Sequence, residues 1–150
     1  MSQTVLNPST TQQLLNRAKN LQANLQPQWG KMTVTEMLAH ANMTNERILN
    51  WDGKLRKATF RQKISKFVGL RVLTKFPKNI KGAPIFDTKG KVNDTEFEME
   101  KQRFMDLLSQ FPNTEKKLRA PHPLFGPLTK KEWGVVVYKH LDHHLRQFGV

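Results

Sequence analysis

The chain has no cysteine. That excludes a disulfide framework, a thiolate metal site and a cysteine nucleophile at once, and it fits a reducing compartment. Long apolar runs are also missing. The longest fall far short of the ~20 residues that a bilayer-spanning helix needs, so no membrane span is expected. The opening residues, Met1-Ser-Gln-Thr-Val-Leu-Asn-Pro8, are polar and hold no stretch fit to act as a signal. These absences describe a soluble, cytoplasmic protein. Internal repeats, low-complexity tracts and linkers are absent too, and 150 residues is the length of one ordinary domain. A single domain over 1–150 is the expectation. At that size roughly two-thirds of the unfolded surface can be buried without a covalent staple.

Acidic residues are scarce in one region above all. The net charge is +13, and twelve of the basic residues fall between Lys54 and Lys91, where only Asp87 opposes them. That segment carries +11 of the total. Such a field attracts anions: nucleic acid, an acidic lipid surface, an acidic protein, or a small ligand with carboxylates or phosphates. A charge run of this kind is as often a plain solvated face.

What is present is helical punctuation. Four sites read as capping boxes, a Ser or Thr followed three residues later by Glu or Gln: Ser9 with Gln12, Thr33 with Glu36, Thr95 with Glu98, and Thr129 with Glu132. The first helix is predicted over about Thr10 to Leu25, with a stripe of Leu14, Leu15, Ala18, Leu21 and Leu25. The second is predicted over Val34 to Asn50. A third, basic segment runs from Lys57 to Phe76, where Phe60, Ile64, Phe67, Val68, Val72, Leu73 and Phe76 repeat at helical spacing. These apolar residues are the material from which a bundle builds its core. A loop from Pro77 to Asp94 follows. The next helix starts near Glu96, and the last begins at Lys130 and reaches Phe148. No strand pattern stands out, although Gly82 to Phe86 could be extended. The expected fold class is all-α, a four-helix bundle with a long crossover carrying an extra basic helix.

Chemistry concentrates in the last helix, which contains His140-Leu-Asp-His-His144. His140 and His144 are four apart, so both imidazoles share one face. Trp133, Val137 and Phe148 share it too, which turns it inward. Two histidines at this spacing can chelate one ion, but an HxxxH alone is commonly a solvated pair. His40 changes the weighing. It lies in the second helix beside Met37, Leu38 and Ala41, on the buried side. A lone histidine there is usually a satisfied core residue. In a bundle, however, metal sites are assembled from facing helices. Two histidines from one helix and one from another supply three neutral nitrogens and leave positions open for water or substrate.

Two stretches carry a resemblance. They are Trp29 followed by Thr33-Val-Thr-Glu-Met-Leu-Ala-His40, and His140-Leu-Asp-His-His-Leu-Arg-Gln147. Together they resemble the DinB-like superfamily of helical-bundle metalloproteins. The resemblance implies that His40, His140 and His144 are metal ligands. It implies a bundle of DinB-like type, and often a homodimer. The stretch His122-Pro-Leu-Phe-Gly-Pro-Leu-Thr129 resembles one group of unknown function within that superfamily. The basic segment is not part of the general pattern.

Further residues are candidates around such an ion. His143 points about a third of a turn from His144 and is expected outside the ligand set, exposed or behind it. Glu36, four residues before His40, is a candidate base, although its capping role accounts for it equally. His122 is a candidate proton shuttle at the mouth of the site, or a plain loop residue. Arg47, seven residues past His40, is a candidate anchor for an anionic substrate. Asp142 is expected to be solvated. An open three-histidine ion acidifies bound water or acts as a Lewis acid. Three imidazoles suit zinc, nickel, iron or copper. Superfamily relatives include thiol-dependent enzymes, so the expected function is a metal-dependent, thiol-dependent transferase. A low-molecular-weight thiol would be its cosubstrate and a small anion its substrate. A metal-dependent hydrolase is one alternative. A non-enzymatic polyanion or nucleic-acid binder using residues 54–91 is the other, and it would make phosphate contacts without reading bases. A membrane-surface role for Phe60–Phe76 is a variant of that last reading.

Overall fold

The computed structural model describes residues 3–150. All regular structure among them is helical. Helices α1 (Pro8–Lys19), α2 (Val34–Asn50), α3 (Phe60–Phe67), α4 (Phe97–Gln110) and α5 (Lys130–Gln147) are joined by loops with two short 3-10 turns, Pro84–Phe86 and Asp94–Glu96. The segment 82–86 forms no strand. An isolated bridge between His122 and Gly126 is the one piece of β pairing among the described residues.

The helix starts follow side-chain chemistry. Thr33 and Thr129 each accept from the backbone N–H three residues on, while Glu36 and Glu132 reach back to the cap N–H. Two other boxes move. Asn7, not Ser9, caps α1, with Pro8 in the first turn. Asn93, not Thr95, caps the approach to α4, with Glu96 as its reciprocal partner. Helix α1 also stops at Lys19, six residues before the predicted end. A box at Thr59 and Gln62 opens α3.

Helix α2 packs on α4 and α5, and α1 packs on α4 and α5 as well. Their apolar faces meet in one core that includes Leu14, Met37, Leu38, Phe104, Leu108 and Leu141. A buried polar tie crosses it: the Asn42 amide donates to the Glu100 carbonyl (2.9 Å) and carboxylate (2.7 Å), joining α2 to α4. Helix α3 stands outside this core and buries no residue. It runs into one π-turn, Val68–Val72, closed by the Leu73 N–H on the Val68 carbonyl at 2.9 Å. The expectation that the apolar residues of this segment line the core is therefore corrected for Phe60, Ile64, Phe67, Val68 and Val72, which are exposed, while Phe76 packs against the core. Phe60 is 77% exposed and Phe67 63%.

Candidate metal centre

Helix α2 brings His40 and α5 brings His140 and His144 to one point. The Nε2 of His140 lies 3.0 Å from that of His40 and 3.1 Å from that of His144. One ring nitrogen from each histidine falls within 4.8 Å of the others, a group that could hold a metal ion. For zinc, bonds of ~2.0–2.1 Å and tetrahedral angles put ligand nitrogens roughly 3.3 Å apart. The observed spacings are close to that.

The outer nitrogens decide what the inner ones offer. His40 Nδ1–H donates to the carbonyl of Phe86 at 2.8 Å. A carbonyl only accepts, so His40 Nε2 carries a bare lone pair. His144 Nδ1–H donates to the side-chain oxygen of Gln147 at 2.9 Å. The Gln147 amide is held in that orientation because its NH2 group donates to the carbonyl of Trp29 at 2.8 Å. His144 Nε2 therefore also presents a lone pair. Two lone pairs face the same third nitrogen, and a single proton on His140 Nε2 can satisfy only one of them well. A cation satisfies all three.

Electrostatics agree with that state. Burial pushes His144 down to about 3, helped by the positive charge His40 would carry. Burial and then the neighbouring His144 and His40 hold His140 well below its ordinary value. Burial lowers His40 as well, against the Phe86 carbonyl and Asp87, which raise it. All three are neutral imidazoles at neutral pH, the form that binds metal. His40 and His140 are partly exposed residues and His144 is buried.

The model of a family described as a protein of unknown function, DUF1569, matches residues 2–149. The chain belongs to the DUF1569 family. No curated protein and no solved structure matches it.

The other candidate residues of this DUF1569 chain make contacts of their own. Glu36 is buried with both carboxylate oxygens taken: one accepts from the Thr33 N–H (2.9 Å), the other from the Gly90 N–H (2.5 Å). Its geometry is that of a cap and a loop anchor. His122 stacks on Phe125 with ring centroids 4.3 Å apart. Its Nδ1 accepts from the Leu124 and Phe125 N–H groups at 3.1 and 3.2 Å, and burial pushes it down to about 4. It is thus a neutral ring whose accepting nitrogen is occupied, which removes the basis for a proton shuttle through that atom. Asp142 is not solvated. It is buried between Arg17 (2.8 Å) and Arg146 (2.9 Å). His143 turns aside, its Nδ1 3.4 Å from the Phe76 carbonyl and its ring edge-on to Trp29.

Arg47 lies over the Trp51 ring at 4.3 Å and 6.0 Å from the ring of Phe86, whose carbonyl holds His40. With Arg56, Lys57, Gln62 and His122 it lines a cleft of about 350 Å³. Sequence reasoning gave no role to two groups that orient the histidines, the Phe86 carbonyl and Gln147. The Phe86 carbonyl is backbone, which residue identity does not mark. Gln147 did have a signal, its place three residues after His144, where one helical turn brings it to the ring.

Proposed function

We propose that this protein is a divalent-metal-dependent enzyme of the DinB-like superfamily, catalysing a thiol-dependent transfer on a small anionic substrate. The observation that carries the reading is the fixed tautomer of His40 and His144, whose Nε2 lone pairs converge with His140. The closed circuit of helix packing, α2 on α4 on α1 on α5 and back to α2, supports a four-helix bundle with α3 in the long crossover. The motifs ending at His40 and Gln147 support the superfamily.

Three imidazoles with open positions suit zinc, nickel or iron. Such an ion would supply Lewis-acid chemistry, lowering the pKa of a thiol or water beside it. The chain's own residues then bind and orient. Arg47, Arg56 and Lys57 give the neighbouring cleft a positive lining suited to carboxylate or phosphate. Transfer is preferred to hydrolysis because of the bases. A side-chain base would assist attack by metal-bound water, and the candidates Glu36 and the Nδ1 of His122 already accept from backbone N–H groups, which favours the thiol reading. A thiol ionises near pH 8.5 and needs far less help.

The test is elemental analysis of protein purified without a histidine tag, beside a His140→Ala variant. About one equivalent of a transition metal is expected in the first and close to none in the second. Equal content in both would remove the metal centre. With metal present, turnover should depend on an added low-molecular-weight thiol. Release of acid from activated esters without any thiol would select the hydrolase instead.

A further inference from the structure

The metal centre leaves the basic crossover unexplained, and α3 within it is turned inside out. Its inner face is polar. Gln62 donates to the Pro123 carbonyl (3.2 Å), and Lys66 reaches the Pro127 carbonyl (3.3 Å) and Glu132 (2.9 Å). At Gly69 the backbone comes so near Phe125 that an added Cβ would lie 2.5 Å from the ring. From α5, buried Lys139 donates to the Gly69 and Leu73 carbonyls at 2.9 and 2.7 Å, capping the π-turn. These contacts fix which way the helix faces. Outward it presents Phe60, Ile64, Phe67 and Val68, at i, i+4, i+7 and i+8, and the wider π-turn brings Val72 onto the same stripe.

Eight of the eleven exposed large apolar side chains among the described residues fall between Leu55 and Ile85. So does most of the excess positive charge, and no acid occurs from Gly53 to Phe86. Helical spacing sets Arg61 on one flank of the stripe and Lys63 and Arg71 on the other, all three exposed. An apolar stripe flanked by Lys and Arg is the pattern of a helix that lies in a lipid interface.

We propose that the outer face of α3 and its π-turn docks onto an anionic lipid bilayer, with Phe60, Ile64 and Phe67 entering the acyl boundary and Arg61, Lys63 and Arg71 meeting headgroups. Charge selects this occupant. A second copy of the chain brings another +13 and the same basic segment, so it is repelled. A nucleic acid answers the charge but offers no apolar medium for the phenylalanines. An anionic bilayer answers both. Among the described residues no helix is long and apolar enough to cross a membrane, so the proposed attachment is peripheral.

The experiment is co-sedimentation of the full chain with phosphatidylcholine vesicles, with and without phosphatidylserine. Binding is expected to the mixed vesicles and to weaken at least about tenfold without the anionic lipid. The variant Phe60→Ser/Phe67→Ser keeps the charge and removes two exposed rings. It should retain wild-type helicity and metal content and bind the mixed vesicles at least about tenfold more weakly. No wild-type binding would overturn the proposal. So would equal binding by the variant, which leaves charge alone at work. Tighter binding to duplex DNA or RNA that survives the double substitution would assign the face to nucleic acid. Concentration-dependent dimers abolished by the substitution would assign it to a second copy.

Discussion

His144 has two ring nitrogens and a separate task for each. Nε2 faces His140, while Nδ1–H is committed to Gln147, itself steadied by the Trp29 carbonyl. Partners of this kind set ring orientation and raise ligand basicity, and losing one typically costs 10–100-fold in metal affinity. Gln147→Ala is therefore expected to weaken zinc binding by about that range while leaving the three histidines in place, as read by competition with a chromophoric chelator. An unchanged affinity would mean that Gln147 only packs. His122 makes a different prediction. It stays neutral in the fold down to about pH 4, while in the unfolded chain it takes a proton near 6.5. Between those values the unfolded state binds more protons, so its contribution is fully present above 6.5 and fades as pH falls towards 4. Allowing for its partial exposure, the loss is about 2 kcal/mol. His122→Asn offers an oxygen to the same N–H groups without titrating. Urea unfolding at pH 7 and pH 4.5 should show a smaller drop for the variant than for the wild type. Of the histidine trio, His140 and His144 were legible as an i,i+4 pair, and His40 joined them through its place on the buried side of another helix and the DinB-like resemblance. The burial of Asp142 was not: Arg146 is a local i,i+4 partner, but Arg17 is 125 residues away and only folding brings it in.

At the scale of elements, chemistry near the chain ends of helices was legible where one reading was available. Thr33 and Thr129 are each answered by a Glu three residues on that reaches back to the cap N–H, and α2 and α5 begin where the boxes put them. Ser9 lost to Asn7 because Pro8 lacks an N–H to satisfy and has its φ already set for a first helical position. Asn7→Ala should therefore cost about 1 kcal/mol, and Ser9→Ala should stay within about 0.5 kcal/mol. Thermal melts of the two variants decide it; the reverse ranking would restore Ser9 as the cap. Helix α3 shows the limit of periodicity. Its stripe told that a helix forms and which residues share a face. It could not tell inside from outside, because an apolar stripe is drawn to any apolar medium, core or lipid. The deciding contacts, Lys66 with Glu132 and Lys139 with the π-turn carbonyls, join residues 66 or more apart in sequence.

Across the whole molecule, the three histidines that could hold an ion come from helices a hundred residues apart, His40 on α2 and His140 and His144 on α5. An ion that binds only the folded arrangement stabilises it by mass action, about 2.7 kcal/mol at a hundredfold excess over Kd. Removing metal with a chelator should lower the melting temperature by several degrees, and His140→Ala should abolish the difference. The crossover is stitched to the same end of α2. Phe86 accepts from His40, the Thr88 hydroxyl donates to the Glu36 carbonyl at 2.6 Å, and the Gly90 N–H donates to the Glu36 carboxylate. This ties the centre to a stretch holding Lys78, Lys81, Lys89 and Lys91, each a peptide bond that trypsin can cut. An ion that steadied His40 would steady the loop hung on its other nitrogen with it. Protease nicking at those lysines should then follow metal occupancy, slow in the loaded protein and fast in the stripped one, so that a gel band reports on a coordination site the protease never touches.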